Sequence, residues 1–374
     1  MYSRILTGGL DMNKTINLFL IAIILVAVLV SCSTTDYTVF TEDLEGWAPV
    51  STALEAKKEQ NKPTTSVAEE TSRSSDVSSS EIHVKDFASF KTAFATAKEK
   101  GIKNIVFDSD ITWDSSETEL ALEATGLTID LNNHTIKNIP KNALNFTGSG
   151  FTVKNGTFTA SGDNNRYSLS LNYNGSNATT EELKALAESK IPGAYNDSDP
   201  VWSNRIVLEN IKATACLIGY STAEIKNCEF TGGAYRALVM QGSSGVIENV
   251  KAVTSDAGSS AGLVAHSYGV VTLKGNVTAK GKFGFYAARS GKILVSEGAT
   301  VSASGFQTYG VYIETGGEAT FGAGVSLGTA NGFQAYMKEG ILTLNKGVVL
   351  TDDSGKVTDK LSVDGEGGTV RDNR

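Results

Sequence analysis

Tyrosines recur at equivalent positions in the second half of the sequence, and their chemistry suits the binding of a sugar. Tyr286, Tyr312 and Tyr336 each stand between two apolar residues in a short strand-like segment. Sugar ring faces are apolar and stack on aromatic rings, while sugar hydroxyls need hydrogen-bond donors and acceptors. With Lys338 as a donor, these tyrosines are candidates for a glycan-binding row. The alternative is that they stabilise one another across adjacent strands.

A long interruption between Tyr173 and Trp202 is the second candidate for recognition. A short helix is predicted within it, because Glu182 follows Thr179 at the spacing of a capping box. Loops that break a regular array often carry recognition. We therefore count Tyr173, Tyr195 and Trp202 as ligand-binding candidates. A purely structural flap is the alternative.

Three ionisable residues near the tyrosines, His266, Arg289 and Glu314, are the candidates for catalysis. A lyase could use His266 or Tyr312 beside Arg289, whereas a glycosidase needs two carboxylates facing one bond. The tyrosine-bearing strands supply one carboxylate, Glu314. A lone histidine on an outward strand position is also an ordinary surface residue. We therefore assign no catalytic residue and expect binding rather than enzyme activity.

The composition excludes several classes of protein. Lys+Arg 33 against Asp+Glu 41 gives a net charge of −8, which argues against nucleic acid as a partner. Three histidines and three cysteines are too few for a His-based metal cluster or a disulfide framework. We expect no metal and no cofactor, and we expect Cys216 and Cys228 to be buried thiols.

A repeated frame positions all these candidates. In the first coils an apolar residue precedes an asparagine by two positions and another apolar residue follows it by three. Asparagine tolerates the left-handed conformation better than other non-glycine residues, so it can bend the chain between two short strands. Glycine solves the same steric problem in later coils. The predicted bend residues are Asn133, Asn155, Asn210, Asn227 and Asn249, then Gly275, Gly298, Gly324 and Gly347.

A second set of glycines gives the length of one repeat. Gly269, Gly291, Gly317 and Gly340 are spaced by 22, 26 and 23 residues. Three short strands per turn of that length predict an all-β fold, a parallel β-helix of about ten coils between residues 104 and 350. Alternation along the strands predicts two inward rows. The first is Leu238, Leu263, Phe285, Val311 and Ala335, and the second is Met240, Ala265, Ala287, Ile313 and Met337.

The segment before the repeat predicts one α-helix. Phe87, Phe90, Phe94 and Ala97 form an apolar stripe at helical spacing, and Asp86 suits its N-cap. Such a helix would cover the strand edges at the first coil.

Residues 84–355 resemble the right-handed, pectate-lyase-like β-helix superfamily, in the repeat, the N-terminal capping helix and the asparagine ladder. In polysaccharide-active members the outer face of the strand before the first bend forms the substrate groove. The resemblance therefore implies a groove on the face that carries Tyr286, Tyr312 and Tyr336. The aspartate cluster for calcium in pectate lyases is missing here. The three aspartates, Gly-His-Gly and Arg-x-Lys of polygalacturonases are missing as well.

The N-terminus resembles that of a bacterial lipoprotein. A basic start at Met12 precedes an apolar run at 18–30, which is too short to span a bilayer but suits a signal peptide. Residues 29–32 resemble a lipobox, whose cysteine is lipidated after cleavage. We expect a signal peptide at 1–31 with its true start at Met12, and a membrane anchor on Cys32. Ser33 is, by the same resemblance, typical of the outer membrane.

The remaining boundaries follow from composition. Residues 32–80 are rich in Ser, Thr and Glu and predict a flexible tether. The capping helix occupies 81–103, and the β-helix 104–355 contains an inserted loop and helix at 174–204. Residues 356–374 read as a polar tail in which no cap is recognisable.

Together these features predict a lipid-anchored protein of the cell envelope whose β-helix binds a glycan, a host protein or a neighbouring protein. A polysaccharide lyase or glycoside hydrolase with a degenerate motif is the second hypothesis. A structural or antigenic lipoprotein without a specific ligand is the third. Neither the side of the membrane nor the oligomeric state follows from the sequence.

Overall fold

The chain winds into a right-handed parallel β-solenoid of about ten coils. The computed structural model describes residues 80–162, 167–173, 204–233, 235–255, 260–329 and 332–374. The predicted signal peptide, Cys32 and the tether lie outside these residues. Tyr195, Trp202 and the helix predicted between them do so as well.

The strands of successive coils pair in parallel, with one antiparallel exception near the C-terminus. The first coils contain β1 (Glu81–Val84), β2 (Asn104–Phe107), β3 (Ile111–Thr112), β4 (Leu120–Glu123), β5 (Thr128–Asp130), β6 (Thr135–Ile139), β7 (Leu144–Thr147), β8 (Phe151–Ala160) and β9 (Leu169–Leu171). The central coils contain β10 (Arg205–Ala213), β11 (Cys216–Gly219), β12 (Thr222–Lys226), β13 (Glu229–Thr231), β14 (Leu238–Gln241), β15 (Ser244–Val253), β16 (Ala261–His266), β17 (Val270–Ala288), β18 (Lys292–Val295) and β19 (Thr300–Ile313). The last coils contain β20 (Gly317–Phe321), β21 (Val325–Gly328), β22 (Ala335–Met337), β23 (Gly340–Leu344), β24 (Val349–Thr351), β25 (Val357–Thr358), β26 (Val363–Asp364) and β27 (Thr369–Asp372).

Helix α1 (Phe87–Lys100) covers the N-terminal end of the solenoid. It begins at the predicted N-cap Asp86, whose carboxylate accepts a hydrogen bond from the backbone N–H of Ser89. Phe90 and Phe94 are buried, and their rings lie 5.7 Å from Phe107 and 5.5 Å from Phe146. The apolar stripe therefore packs on the first coils, as the sequence predicts.

The bends use the predicted left-handed residues. The φ angles of Asn155, Asn210, Asn227 and Asn249 lie between 54° and 56°, and Gly275 has a φ of 58°. The side-chain amides of Asn155, Asn210 and Asn249 also donate to the preceding coil, as from Asn249 Nδ2 to Asn227 Oδ1 at 3.2 Å. Stacking the same bend on each coil keeps the flanking strands in register.

Both predicted inward rows form the core. Every residue of the two rows is at most 2% exposed. Stacked side chains from successive coils, such as Phe285 and Phe321 at 5.7 Å between ring centroids, fill the interior. The alternation of strand residues therefore gave the correct inner face.

The C-terminal residues differ from the polar tail that their composition predicts. The two-residue strands β25 and β26 and the four-residue β27 form one more incomplete coil, in which β26 pairs with β22 and β27 with β23. Strand β25 turns back and pairs antiparallel with β24. The strands are too short, and too interrupted by Gly365, Gly367 and Gly368, to show a pattern in the sequence.

Candidate functional site

The predicted tyrosine row lies on one outer face of consecutive coils. Tyr286 pairs in register with Tyr312, and Tyr312 with Tyr336. The same row continues to Asp364 on the last coil and back to Val264. We call this face, formed by β14, β16, residues 283–288, residues 309–314 and β22, the tyrosine wall.

The rings of the tyrosine wall pack on one another. Tyr312 and Tyr336 stack with centroids 4.5 Å apart and planes only 8° from parallel. Tyr286 meets Tyr312 edge to face at 5.2 Å and is only 2% exposed, whereas Tyr312 and Tyr336 are half-buried. The facing surfaces of the stacked rings cover each other, so both rings are only partly accessible to solvent. The expectation of a row of open ring faces therefore does not hold at Tyr286.

Three further aromatic residues complete the wall. Phe283 lies 4.4 Å from Tyr312, Tyr309 lies 5.3 Å from Tyr336, and Phe333 lies 6.3 Å from Tyr309, all between centroids. Strand alternation would place Phe283 inward, in the row of Phe285. Phe283 instead lies outside the core cluster and packs on Tyr309 and Tyr312 of the neighbouring coil, just after a register shift between residues 281 and 283.

Glu314 is held by tyrosine hydroxyls within the wall. The hydroxyl of Tyr286 donates to Oε1 of Glu314, and the hydroxyl of Tyr312 lies 3.4 Å from Oε2. Burial raises the pKa of Tyr286 well above its ordinary value, the charge of Glu314 raises it further, and Arg236 opposes the shift. The predicted catalytic carboxylate is therefore engaged in the packing of the wall.

Arg236 is a charged residue of the wall that the sequence analysis missed. Its side chain is 5% exposed, and its guanidinium carbon lies 5.1 Å from the ring centroid of Tyr235 and 5.7 Å from that of Tyr286. Such distances are typical of cation–π contacts. The residue lies at a corner two positions before the inner row, where strand alternation does not indicate an orientation.

His266 lies on the wall one coil before Ala288 and two coils before Glu314. Its Nδ1 is 2.6 Å from the hydroxyl of Ser267. Burial first, and then the charges of Arg236 and Arg289, lower the pKa of His266 well below its ordinary value. The imidazole is therefore neutral at pH 7, which is the state a base or a hydrogen-bond acceptor requires.

Arg289 occupies a tight turn at the end of the wall. Arg289 and Ser290 have φ angles of 48° and 60°, and the N–H of Gly291 bonds to the carbonyl of Ala288 at 2.9 Å, as in a type I′ turn. A Cβ on Gly291 would lie 2.2 Å from the carbonyl oxygen of Ala265 on the neighbouring coil. This close approach explains why a glycine recurs at this position in successive repeats. Equivalent turns span residues 266–269 and 314–317.

The other ligand-binding candidates from the sequence do not all lie on the tyrosine wall. Lys338 is half-buried next to the wall, and its N–H bonds to the carbonyl of Ile313. Tyr173 is 4% exposed, and Asn145 binds its backbone through Nδ2 at 2.7 Å and Oδ1 at 3.3 Å. Tyr195 and Trp202 lie outside the described residues.

A second outer surface follows the asparagine bends, and we call it the bend wall. A groove of about 740 Å³ runs along it. Charges alternate from coil to coil in the row before the bend and again in the row after it. The first row is Asp130, Lys154, Glu209, Lys226, Glu248 and Lys274. The second row is Lys212, Glu229 and Lys251.

Neighbouring charges on the bend wall pair with one another. Lys251 lies 2.6 Å from Glu229, and Lys154 lies 3.3 Å from Asp130. Opposite charges on adjacent strands stabilise a sheet modestly, and like charges destabilise it. The alternation therefore lets the charged side chains of the bend wall neutralise one another within the chain.

The described residues contain no arrangement suited to metal binding or to thiol chemistry. No group of three His, Cys, Asp or Glu side chains in them could hold a metal ion. Cys216 and Cys228 are free and buried, and burial raises the pKa of Cys228 to about 12. Within the same residues, no helix is both long and apolar enough to cross a membrane.

Comparison of the chain with protein families, curated proteins and solved structures finds no match.

Proposed function

We propose that this protein is a lipid-anchored cell-envelope protein whose tyrosine wall binds a glycan. The solenoid carries the wall, the anchor at Cys32 holds the protein at the membrane, and residues 33–80 act as a tether. A host or neighbouring protein is the alternative ligand for the same wall.

One observation carries the proposal: six aromatic rings and several charged groups are concentrated on one outer face. The interior of the solenoid does not need them, since the two inner rows already fill it. The half-buried side chains of Tyr312 and Tyr336, with the exposed ring of Phe333 beside them, combine apolar surface with hydroxyl groups. Sugars bind to such mixed surfaces through ring contacts and hydrogen bonds.

Affinity electrophoresis tests this function. The full chain is run in a non-ionic detergent through gels that contain acidic or neutral polysaccharides, and each gel is then stained for the polymer. We expect retardation in at least one gel, with a Tyr312→Ala, Tyr336→Ala double variant at least about tenfold weaker in affinity. Thr278→Ala on the bend wall is the matched control and should be retarded like the unchanged chain.

Two experimental outcomes would count against this function. Migration unaffected by every polysaccharide would refute glycan binding and leave a protein ligand or a passive surface lipoprotein. Equal loss of retardation and of thermal stability in the double variant would favour the packing role of the tyrosines.

The anchor is tested separately. Cys32→Ser should abolish signal-peptide processing and transfer the protein from the membrane fraction to the soluble fraction of cells. Membrane attachment that survives this change would refute the lipoprotein assignment. Fractionation of inner and outer membranes tests the outer-membrane location expected from Ser33.

A polysaccharide lyase is the second candidate function, favoured by the neutral His266 near Arg289 and Arg236. In such a step a base removes the proton next to a uronate carboxylate, the glycosidic C–O bond breaks, and the leaving oxygen takes a proton. Ultraviolet absorbance of the new C=C bond detects this product. Absorbance that Arg289→Ala abolishes would support the lyase, and its absence with all acidic polysaccharides would refute it.

A further inference from the structure

Two arginines from different coils, Arg236 and Arg289, approach His266 on the tyrosine wall. Arg289 directly follows Ala288, which pairs in register with His266 on the preceding coil. The carbonyl of Arg289 accepts a hydrogen bond from the N–H of Tyr268 at 3.0 Å. The turn that carries Arg289 therefore stacks on the turn that begins at His266.

Arg236 reaches the same part of the wall from the corner before β14. Its side chain is 5% exposed, and its guanidinium carbon lies 5.7 Å from the ring centroid of Tyr286. The backbone of Tyr286 pairs with that of Val264, two residues before His266. A guanidinium keeps its charge when it is buried, so a positive charge is fixed here.

The charges of the two arginines act together on His266. After burial, Arg236 and then Arg289 are the causes that lower the pKa of its imidazole. Two like charges held near one partly enclosed group repel each other. An anion between them would relieve that repulsion and accept charge-assisted hydrogen bonds from both guanidinium groups. Glu314, the carboxylate of the wall, is bound instead by two tyrosine hydroxyls.

A small ion can reach this place from solvent. His266 and Arg289 are each only partly buried. The hydroxyl of Ser267 lies 2.6 Å from Nδ1 of His266 and adds a neutral hydrogen-bonding group beside the two cations. Lysines on the bend wall differ, because neighbours such as Lys251 and Glu229 form ion pairs across adjacent coils.

We infer that Arg236 and Arg289 form, beside His266, a binding site for a single oxyanion group, namely a sulfate, a phosphate or a carboxylate. The oxyanion is either a free ion or a charged group of a bound glycan. The second source rests on the proposed function, with the sugar rings contacting Tyr312 and Tyr336 while the charged group binds at the arginines.

The three histidines of the chain allow a direct measurement by NMR. The full chain in a non-ionic detergent, isotopically labelled at histidine Cε1, is titrated near neutral pH with sulfate, phosphate or glucuronate at constant ionic strength. We expect a saturable shift of the His266 resonance, with a dissociation constant of about 1 mM or above for a single small anion. His83 and His134, beside Asp108 and Asp110, are internal controls and should not follow that curve.

Two arginine variants test which side chain holds the anion. Arg289→Gln removes one guanidinium and should weaken binding at least about fivefold. Arg205→Gln removes an exposed arginine on β10 and is the matched control, with binding unchanged. The His266→Gln variant assigns the resonance. A His266 resonance that follows none of the anions, or an Arg289→Gln variant that binds like the unchanged chain, would overturn the site.

Oligosaccharides that carry sulfate or carboxylate groups distinguish the two sources. Tighter binding of such an oligosaccharide than of the free ions supports a charged group of a glycan, and equal binding supports a free ion. Retardation by neutral polysaccharides with an unmoved His266 resonance would overturn the anion site and leave the glycan function standing. A His266 shift without retardation in any gel would support the anion site and refute the glycan function.

Discussion

The tyrosine wall and the bend wall are two outer surfaces of the same solenoid, yet they are built differently. On the bend wall a left-handed residue recurs at each bend and the charges alternate in sign from coil to coil, so that opposite charges pair between neighbours such as Lys251 and Glu229. On the tyrosine wall the rings are concentrated on a few coils, around Glu314, Arg236 and His266. The bend wall is explained by the requirements of coil stacking, whereas the tyrosine wall contains groups that stacking does not require.

The contrast between the two walls indicates where to look for function in a regular repeat. A ladder that repeats coil by coil follows from the local geometry of each bend. Residues that interrupt such a ladder and cluster on one face are not explained by bend geometry. Their clustering needs another explanation, such as the binding of a ligand. The following changes test whether the two walls differ in this way.

The largest effect is expected from Tyr286→Ala on the tyrosine wall. The ring is 2% exposed, so its removal leaves a cavity, and we expect a loss of about 3 kcal/mol in the free energy of unfolding in urea. Tyr286→Phe keeps the ring and removes only the donor to Glu314, with a loss of about 1 kcal/mol. A loss below about 1 kcal/mol for the alanine variant would mean that the ring is not enclosed.

A smaller effect is expected from Asn227→Ala on the bend wall. Residue 227 has a φ of 54°, and alanine in this region costs about 1–2 kcal/mol. The variant also loses the acceptor for Asn249 Nδ2. Asn227→Gly removes the same side chain without the conformational cost, so urea unfolding should place it closer to the unchanged chain. Equal losses for the two variants would contradict a conformational role.

The pH dependence of stability should reveal His266. Its pKa is lowered in the folded state, so below pH about 6.5 the unfolded chain takes up a proton that the folded chain does not. Stability is thus lost as the pH falls through this range, by at most about 1.4 kcal/mol per pH unit. His266→Gln should flatten the unfolding free energy between pH 7 and pH 5. An unchanged slope in the variant would show that the pKa of His266 is the same in the folded and unfolded chains.

The smallest effect is expected from Lys251→Ala. Its ion pair with Glu229 is solvent-exposed, so the loss should be about 0.5 kcal/mol or less in thermal unfolding. That loss should disappear at high salt, because exposed charges are screened. A large and salt-independent loss would show that this pair does more than stabilise neighbouring strands.

The sequence predicts the bends and the inner rows because both depend on residues close in the chain. Left-handed asparagine and the alternation of apolar residues are local properties. The N-cap at Asp86 is predicted for the same reason. The coil formed by β25–β27 escapes prediction because its strands are short and its polar residues show no period.

The geometry of the tyrosine wall depends on side-chain contacts within one coil and between neighbouring coils. Alternation places Tyr286 outward correctly, but its burial arises from Phe283 and Tyr312 on its own and the neighbouring coil. The register shift beside Phe283 leaves no mark in the composition. Arg236 lies at a corner between strands, where the alternation of inward and outward residues does not predict its orientation. Long-range contacts of this kind cannot be read from spacing alone.

The most direct test of the account is lysine acetylation of the full chain with and without the polysaccharide that retards it. Lys338 lies beside the tyrosine wall, whereas Lys212, Lys226 and Lys251 lie on the bend wall. We predict that the bound glycan slows acetylation of Lys338 and leaves the three bend-wall lysines unchanged. Protection of the bend-wall lysines with Lys338 unaffected would contradict the account and place the binding surface on the other wall.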